Sequence, residues 1–161
     1  PEILTLNPSE LIAFEVENTI FATVSPPSND YLYSIDGIYW QESNVFTNIP
    51  EGEYTLTITN KFGCGNLSKN FIILDYPRFF SPNGDGYNDT WKLKGSSIVD
   101  FISVSIFDRY GKLLKVMNPQ TDEWDGLFND TPLPSTDYWF TVKYQINNIS
   151  KEFRGHFSLI R

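Results

Sequence analysis

The stretch Leu133-Pro134-Ser135-Thr136-Asp137-Tyr138-Trp139-Phe140-Thr141-Val142-Lys143-Tyr144 decides the fold, because an earlier part of the chain repeats its plan. Ile49-Pro50 precedes Tyr54 by the same offset as Leu133-Pro134 precedes Tyr138, and each tyrosine opens a run of period-two alternation. A tyrosine so placed pins the corner before the sixth strand of an immunoglobulin-like sandwich. Two copies predict an all-β chain of two tandem immunoglobulin-like β-sandwiches, one over residues 1–75 and one over 76–161. Each half then has roughly 75–85 residues, a size at which burial is modest and every anchor counts.

Composition agrees with strands. Of the 161 residues, 40 % are hydrophobic, 20 % charged and 16 % aromatic, and aromatic and β-branched side chains fit pleated sheets. Ten prolines and ten glycines are scattered along the chain, and no amphipathic run of helical length stands clear of them. The formal charge of −8 leaves no basic face to neutralise phosphates, which argues against a nucleic-acid partner and against an anionic membrane surface. No apolar run approaches the ~20 residues of a transmembrane segment. The chain opens at Pro1 without a methionine and reads as a piece of a longer protein. Its one cysteine, Cys64, has neither an internal partner nor zinc-like neighbours in sequence. It reads as a small hydrophobe, or as half of a bridge to another part of the parent chain.

In the first half, residues 11–17 and 20–24 have strand composition and are joined by Asn18-Thr19. Residues 31–35 alternate, and Asp36-Gly37 with Ile38-Tyr39-Trp40 after it predicts a tight hairpin. Ile49-Pro50-Glu51-Gly52 turns the chain into 54–59, and 71–74 supply a closing strand. In the second half, Tyr76-Pro77-Arg78 is a short, stiff joint. Residues 101–107 carry bulk on both faces, as a central strand does, and Asp108-Arg109-Tyr110-Gly111 turns them onto 113–116. Residues 138–144 and 153–159 are further strands, with Asn147-Asn148 turning between them.

One loop draws the eye for chemistry: Phe80-Ser81-Pro82-Asn83-Gly84-Asp85-Gly86-Tyr87-Asn88-Asp89-Thr90-Trp91. Its glycines reach positive φ without strain, and its Asn and Asp side chains bond nearby backbone. The oxygens of Asn83, Asp85, Asn88 and Asp89 are dense enough to suit Ca²⁺, which takes about 6–8 oxygen ligands. The loop is too short for a complete cage and lacks the closing Glu of an EF-hand. Such clusters are equally the ordinary composition of turns, and both readings stand.

The same loop resembles the opening signature of the C-terminal domain that marks bacterial proteins for the type IX secretion system, in its gliding-motility-associated (type B) form. Three more motifs follow in order: Ile106-Phe107-Asp108-Arg109-Tyr110-Gly111, Trp124-Asp125-Gly126, and Leu133-Pro134…Tyr138-Trp139-Phe140. The chain also ends as that family does, on Gly155-His156-Phe157-Ser158-Leu159-Ile160-Arg161. Trp91, Arg109, Gly111, Trp124, Asp125, Gly126 and Tyr138 are the structural positions the resemblance marks. Asn129-Asp130 stands where Asn-Gly is common and Thr136 where glycine is, which bears on local turn geometry only. In the first half, Tyr33-Ser34-Ile35-Asp36-Gly37, Gly52-x-Tyr54 and Phe62-Gly63-Cys64 resemble repeat modules of Bacteroidetes surface adhesins.

The resemblance implies a non-catalytic sorting signal of a Bacteroidetes-type bacterium, read while folded by the outer-membrane translocon and its shuttle barrel. It implies a cargo, an adhesin by its first half, delivered to the cell surface or medium, and a signal acting as a monomer. The terminal strand is the expected partner-binding element through Gly155, Phe157, Leu159, Ile160 and Arg161, although Phe157 and Leu159 also read as core. Catalysis has little to recommend it, since the single His156 lies in a strand pattern and no nucleophile or phosphate-loop motif is present. The rival reading is a Ca²⁺-dependent carbohydrate-binding module, for which exposed aromatics would stack on sugar rings. Trp40 and Trp139 are the side chains expected to be exposed for it.

Overall fold

The computed structural model describes residues 3–7, 11–15, 17–63, 65–95, 102–146 and 148–161. Cys64, Phe101 and Asn147 lie outside them, with the readings that fall on those positions. The described residues form strands and turns without a helix, in two units, Pro1–Asp75 and Tyr76–Arg161. The fold class is all-β, built from packed sheets.

The first unit holds β1 (Ile3–Asn7), β2 (Leu11–Ala13), β3 (Ile20–Ser25), β4 (Tyr31–Ser34), β5 (Val45–Phe46), β6 (Gly52–Asn60) and β7 (Asn66–Leu74). One sheet runs β1-β3-β5 and the other β2-β7-β6-β4. Alternation along β3 and β6 sends Ile20, Ala22, Val24, Leu56 and Ile58 inward, where they meet Tyr33, Phe71 and Ile73. Two expectations are corrected here. The segment 11–17 stops being a strand after Ala13, because Phe14 takes a left-handed φ of 60°. Its neighbour is β7, in parallel, while β3 pairs with β1. Asp36-Gly37 does not close a tight hairpin. Asp36 Oδ1 accepts the N–H groups of Ile38 at 2.8 Å and Tyr39 at 2.9 Å and the Ser34 hydroxyl at 3.0 Å. That capture swings Ile38, Tyr39 and Trp40 outward as an exposed loop, and only the bridge Tyr33↔Gln41 rejoins β4.

The second unit holds β8 (Phe79–Phe80), β9 (Ile102–Phe107), β10 (Leu113–Met117), β11 (Leu127–Phe128), β12 (Thr131–Pro132), β13 (Thr136–Ile146) and β14 (Ile149–Leu159). Its main sheet runs β10-β9-β13-β14-β8, with β9 internal as the two-sided bulk of 101–107 requires. The opposing layer is thinner. Among the described residues it includes the β11–β12 hairpin and an antiparallel bridge between Trp91 and Trp124. The two indoles lie on the inner face of the sheet, Trp91 stacked on Phe157 at 4.2 Å and Trp124 edge-on to Tyr138 at 5.3 Å. Asn129 and Asp130 both take positive φ, 50° and 61°, between β11 and β12. This is the hairpin geometry that Asn-Gly usually supplies, and Asn-Asp reaches it here.

Both tyrosine corners form. Tyr54 Oη donates to the Pro50 carbonyl at 2.9 Å and Tyr138 Oη to the Pro134 carbonyl at 2.8 Å. Burial pushes both phenols above their ordinary pKa, so the donor proton is retained through the neutral range. Tyr138→Phe is expected to cost about 1 kcal/mol, the net worth of one hydrogen bond. Trp91→Ala should cost about 3–5 kcal/mol, because it empties a fully buried site. Urea unfolding followed by near-ultraviolet circular dichroism measures both. An unmoved midpoint for Trp91→Ala would dissolve this account of the core.

Candidate functional site

The 80–91 loop is closed from within. Asp89 Oδ1 accepts the N–H groups of Asn83 at 3.0 Å and Gly84 at 2.7 Å, and its Oδ2 accepts that of Gly86 at 2.8 Å. Asn83 Oδ1 takes the Asp85 N–H at 3.0 Å, and Asp85 Oδ1 takes the Tyr87 N–H at 2.8 Å. Asn88, at a φ of 50°, offers its carbonyl to Ser81 N–H at 2.6 Å. The carboxylate of Asp89 thus faces a ring of backbone donors, the arrangement that binds an anion. A cation held by Asp89 would have to displace those donors. No group of three or more His, Cys, Asp or Glu side chains suited to a metal occurs among the described residues.

The three other motifs have geometric roles as well. At Asp108-Arg109-Tyr110-Gly111, Asp108 Oδ1 accepts the N–H groups of Tyr110 and Lys112, both at 2.9 Å, while Gly111 turns at a φ of 80°. Asp125 Oδ1 accepts the Leu127 N–H at 3.0 Å. Gly126, at a φ of 79°, lies against the chain end, and a Cβ there would come within 2.7 Å of Leu159 Cδ1. Arg161 locks this corner. Its Nε donates to the Leu133 carbonyl at 2.8 Å, a terminal guanidinium nitrogen to the Gly126 carbonyl at 3.1 Å, and its N–H to Ser135 Oγ at 2.9 Å.

These contacts redraw the terminal strand as a partner site. Phe157 and Leu159 are buried at 0 % and 1 % exposure, so their side chains fill the core and offer nothing to a receptor. Gly155 belongs to the same inner face, where a Cβ would stand 2.8 Å from the Phe140 ring. The backbone edge at 158–160 is taken too: β8 pairs with it in parallel, Ser158 N–H reaching the Arg78 carbonyl and Ile160 N–H that of Phe80, each at 3.0 Å. Ile160 alone of the named residues displays a half-exposed apolar side chain.

The outer face of the sheet holds what sequence reading missed. Register places Leu113, Phe107, Trp139 and His156 in one row across β10, β9, β13 and β14. Trp139 is 42 % exposed and tilts toward His156 at 6.4 Å between ring centres. Arg109 and Arg154 join them around an open groove of about 630 Å³. The bulk on both faces of 101–107 was the available signal; the strand register that aligns it with Trp139 was absent from the sequence. Trp40, 41 % exposed, belongs to the first unit and has no part in this row.

Backbone N–H donors, those of Gly84 and Gly86 foremost, hold the Asp89 carboxyl below its ordinary pKa. A depressed native pKa stabilises the fold at pH values above the unfolded carboxylate range, near 4, and that stabilisation fades as pH falls through the native value. The difference in Tm between the protein and Asp89→Asn should therefore shrink as pH drops from about 6 toward about 2. A gap that stays constant across that range would remove the charge from the explanation. Titrating Ca²⁺ against EDTA at pH 7 should leave Tm where it is, since a cation that prefers the native state must raise it.

Comparison with known proteins completes the picture. No curated protein matches the chain. Among solved structures, a biofilm associated protein (BSP domain) matches at 13 % identity and a TM-score of 0.32, over 91 % of this chain and 28 % of that one. A surface layer protein, SbsC domains 4–9, matches at 12 % identity and a TM-score of 0.25, over 99 % of this chain and 31 % of the other. The chain therefore spans less than a third of the length of either. The family model of the CHU_C type IX secretion signal domain matches residues 74–159, which is just over half of the sequence and nearly all of the second unit. On that match, the chain belongs to the CHU_C type IX secretion signal domain family.

Proposed function

We propose that residues 76–161 are a non-catalytic address, recognised in the folded state by the outer-membrane translocon and shuttle proteins of a type IX secretion system, and that they deliver an adhesin as cargo. Membership of the family carries the coarser part: a type IX secretion signal engages secretion machinery and sends its protein to the cell surface or medium. Support for recognition in the folded state comes from the way the matched motifs are spent. Asp89, Asp108, Asp125, Gly126 and Tyr138 all close turns or corners, so their identity specifies a shape. Support for an adhesin-type module over 1–75 is its adhesin-like turn sequences on a unit with seven strands among its described residues. A bacterium of the Bacteroidetes type, and a place among gliding-motility proteins, follow from the same reading.

The test is export. The 161-residue chain fused behind an unrelated periplasmic reporter should carry the reporter out of a type IX-competent host, and so should residues 76–161 by themselves. Retention of both fusions in the periplasm, with the domain protease-resistant and therefore folded, would defeat the proposal. Sugar binding is the second reading, and one observation favours it: Trp40 and Trp139 are both exposed, as a stacking platform needs. A glycan array read with the chain and with Trp40→Ala decides it; a blank array with and without Ca²⁺ removes it.

A further inference from the structure

An antiparallel sheet with one face packed and one solvated alternates apolar inward and polar outward. The main sheet of the second unit obeys this on its inner face and breaks it on its outer one. Phe107 and Trp139 occupy outward positions that the fold would fill with threonine or serine, as it does at Ser105 and Thr141 on the next row. Leu113 and Val116 extend the same patch on β10, with 48 % and 58 % of their surface exposed. Large side chains that break a local pattern without serving the core point to function. They also fall in the motifs most of whose other members the fold accounts for. Ile106, Asp108, Gly111, Tyr138 and Phe140 are core or turn residues, whereas Phe107, Arg109, Tyr110 and Trp139 are left outward.

The charge around the patch indicates what covers it. The chain as a whole carries −8, yet the groove beside Trp139 is lined by two arginines, Arg109 and Arg154, against one carboxylate, Asp108. The nearby carboxylates are engaged locally: Asp108 closes its turn, Asp137 accepts the Ser158 hydroxyl at 2.6 Å, and Glu152 accepts from Arg154 Nε at 2.9 Å. We propose that this outer face, centred on Trp139, is the docking surface for the secretion machinery, and that the partner meets it with an acidic protein surface surrounding an apolar contact. The inference rests on the sorting reading and adds the location and the chemistry of recognition. A Trp sharing a groove with two arginines has the composition of an interface centre, where Trp and Arg carry most of the binding energy. The rim charges steer approach and select the partner by sign.

The experiment is export of the full chain behind a periplasmic reporter in a type IX-competent host. Three variants are compared with the unaltered chain: Trp139→Ala, the double charge reversal Arg109→Glu with Arg154→Glu, and Lys92→Glu as an exposed control beside the Trp91–Trp124 bridge. All the altered side chains are outside the core, so protease resistance and Tm should stay near those of the parent chain, and should one face variant misfold the other decides. Export is expected to fall at least tenfold for both face variants and to persist for Lys92→Glu. Folded face variants exported at the parent level would overturn the docking surface while leaving the sorting reading intact. An unaltered chain that stays in the periplasm would bring down the sorting reading, and the docking surface with it. As a check on partner class, an oligouronate is titrated while tryptophan fluorescence is followed. A change present in the parent chain and absent in Trp139→Phe would assign the face to acidic sugars and overturn a protein partner.

Discussion

Phe157 is the contact around which the second unit is assembled. Its ring stacks on Trp91 and touches Phe80, Trp124, Tyr138 and Phe140 in tilted or edge-on geometries. Offset and edge-to-face pairs of this kind are worth about 0.5–1.5 kcal/mol each beyond the area they bury. More important is where the six rings come from. The β8 strand, the start and end of the opposing layer, and both strands of the long β13–β14 hairpin each send one or two. No pair of these segments would stay together in a domain of this size on backbone hydrogen bonds alone. The buried indoles leave no polar atom stranded, since Trp91 Nε1 donates to the Pro77 carbonyl at 2.9 Å and Trp124 Nε1 to that of Leu127 at 3.0 Å. Two tryptophans, both fully buried, fill much of the second layer.

The chain end is built into the same arrangement. Arg161 spans three carbonyl and hydroxyl partners, and β8 covers the last residues of β14 on the side away from β13. A terminal strand that would otherwise present an open ladder is therefore closed where its side chains are most apolar. Further upstream, where β8 no longer reaches, β14 shows Lys151, Glu152 and Arg154 to solvent. Charge on an uncovered edge discourages pairing with other chains.

Much of this was legible in the sequence, for reasons that divide by range. The tyrosine corners, the Asp108 turn and the β9–β10 hairpin are written within a few residues, so spacing and residue type suffice to read them. Local reading failed where one side chain outbid a turn. Asp36-Gly37 has the composition of a tight hairpin, yet the Asp36 carboxylate gathers two N–H groups further on and holds the loop open. It failed again for long-range pairing. Trp91 and Trp124 each announce an aromatic anchor, but nothing in either stretch says that their backbones bond to one another. The terminal strand, read both as core and as a partner element, is a related case. Alternation shows that Phe157 and Leu159 share a face, and only the register with β8 and β13 shows which face that is.

The outer row follows from the same register and has a different physical character. Along β13 the inward residues Tyr138, Phe140 and Val142 are held by aromatic packing, while Trp139 between them is held by little except its own strand. Successive side chains point to opposite faces, so a change at one position of the strand need not disturb the packing of its neighbours. A family that must keep one shape and also be recognised by one partner can separate the two demands along a single strand. Inward positions then answer to stability and outward ones to recognition. The adjacent residues Tyr138 and Trp139 occupy the two kinds of position: one ties the corner to Pro134, and the other, partly exposed, lines the outer groove with Arg109 and Arg154.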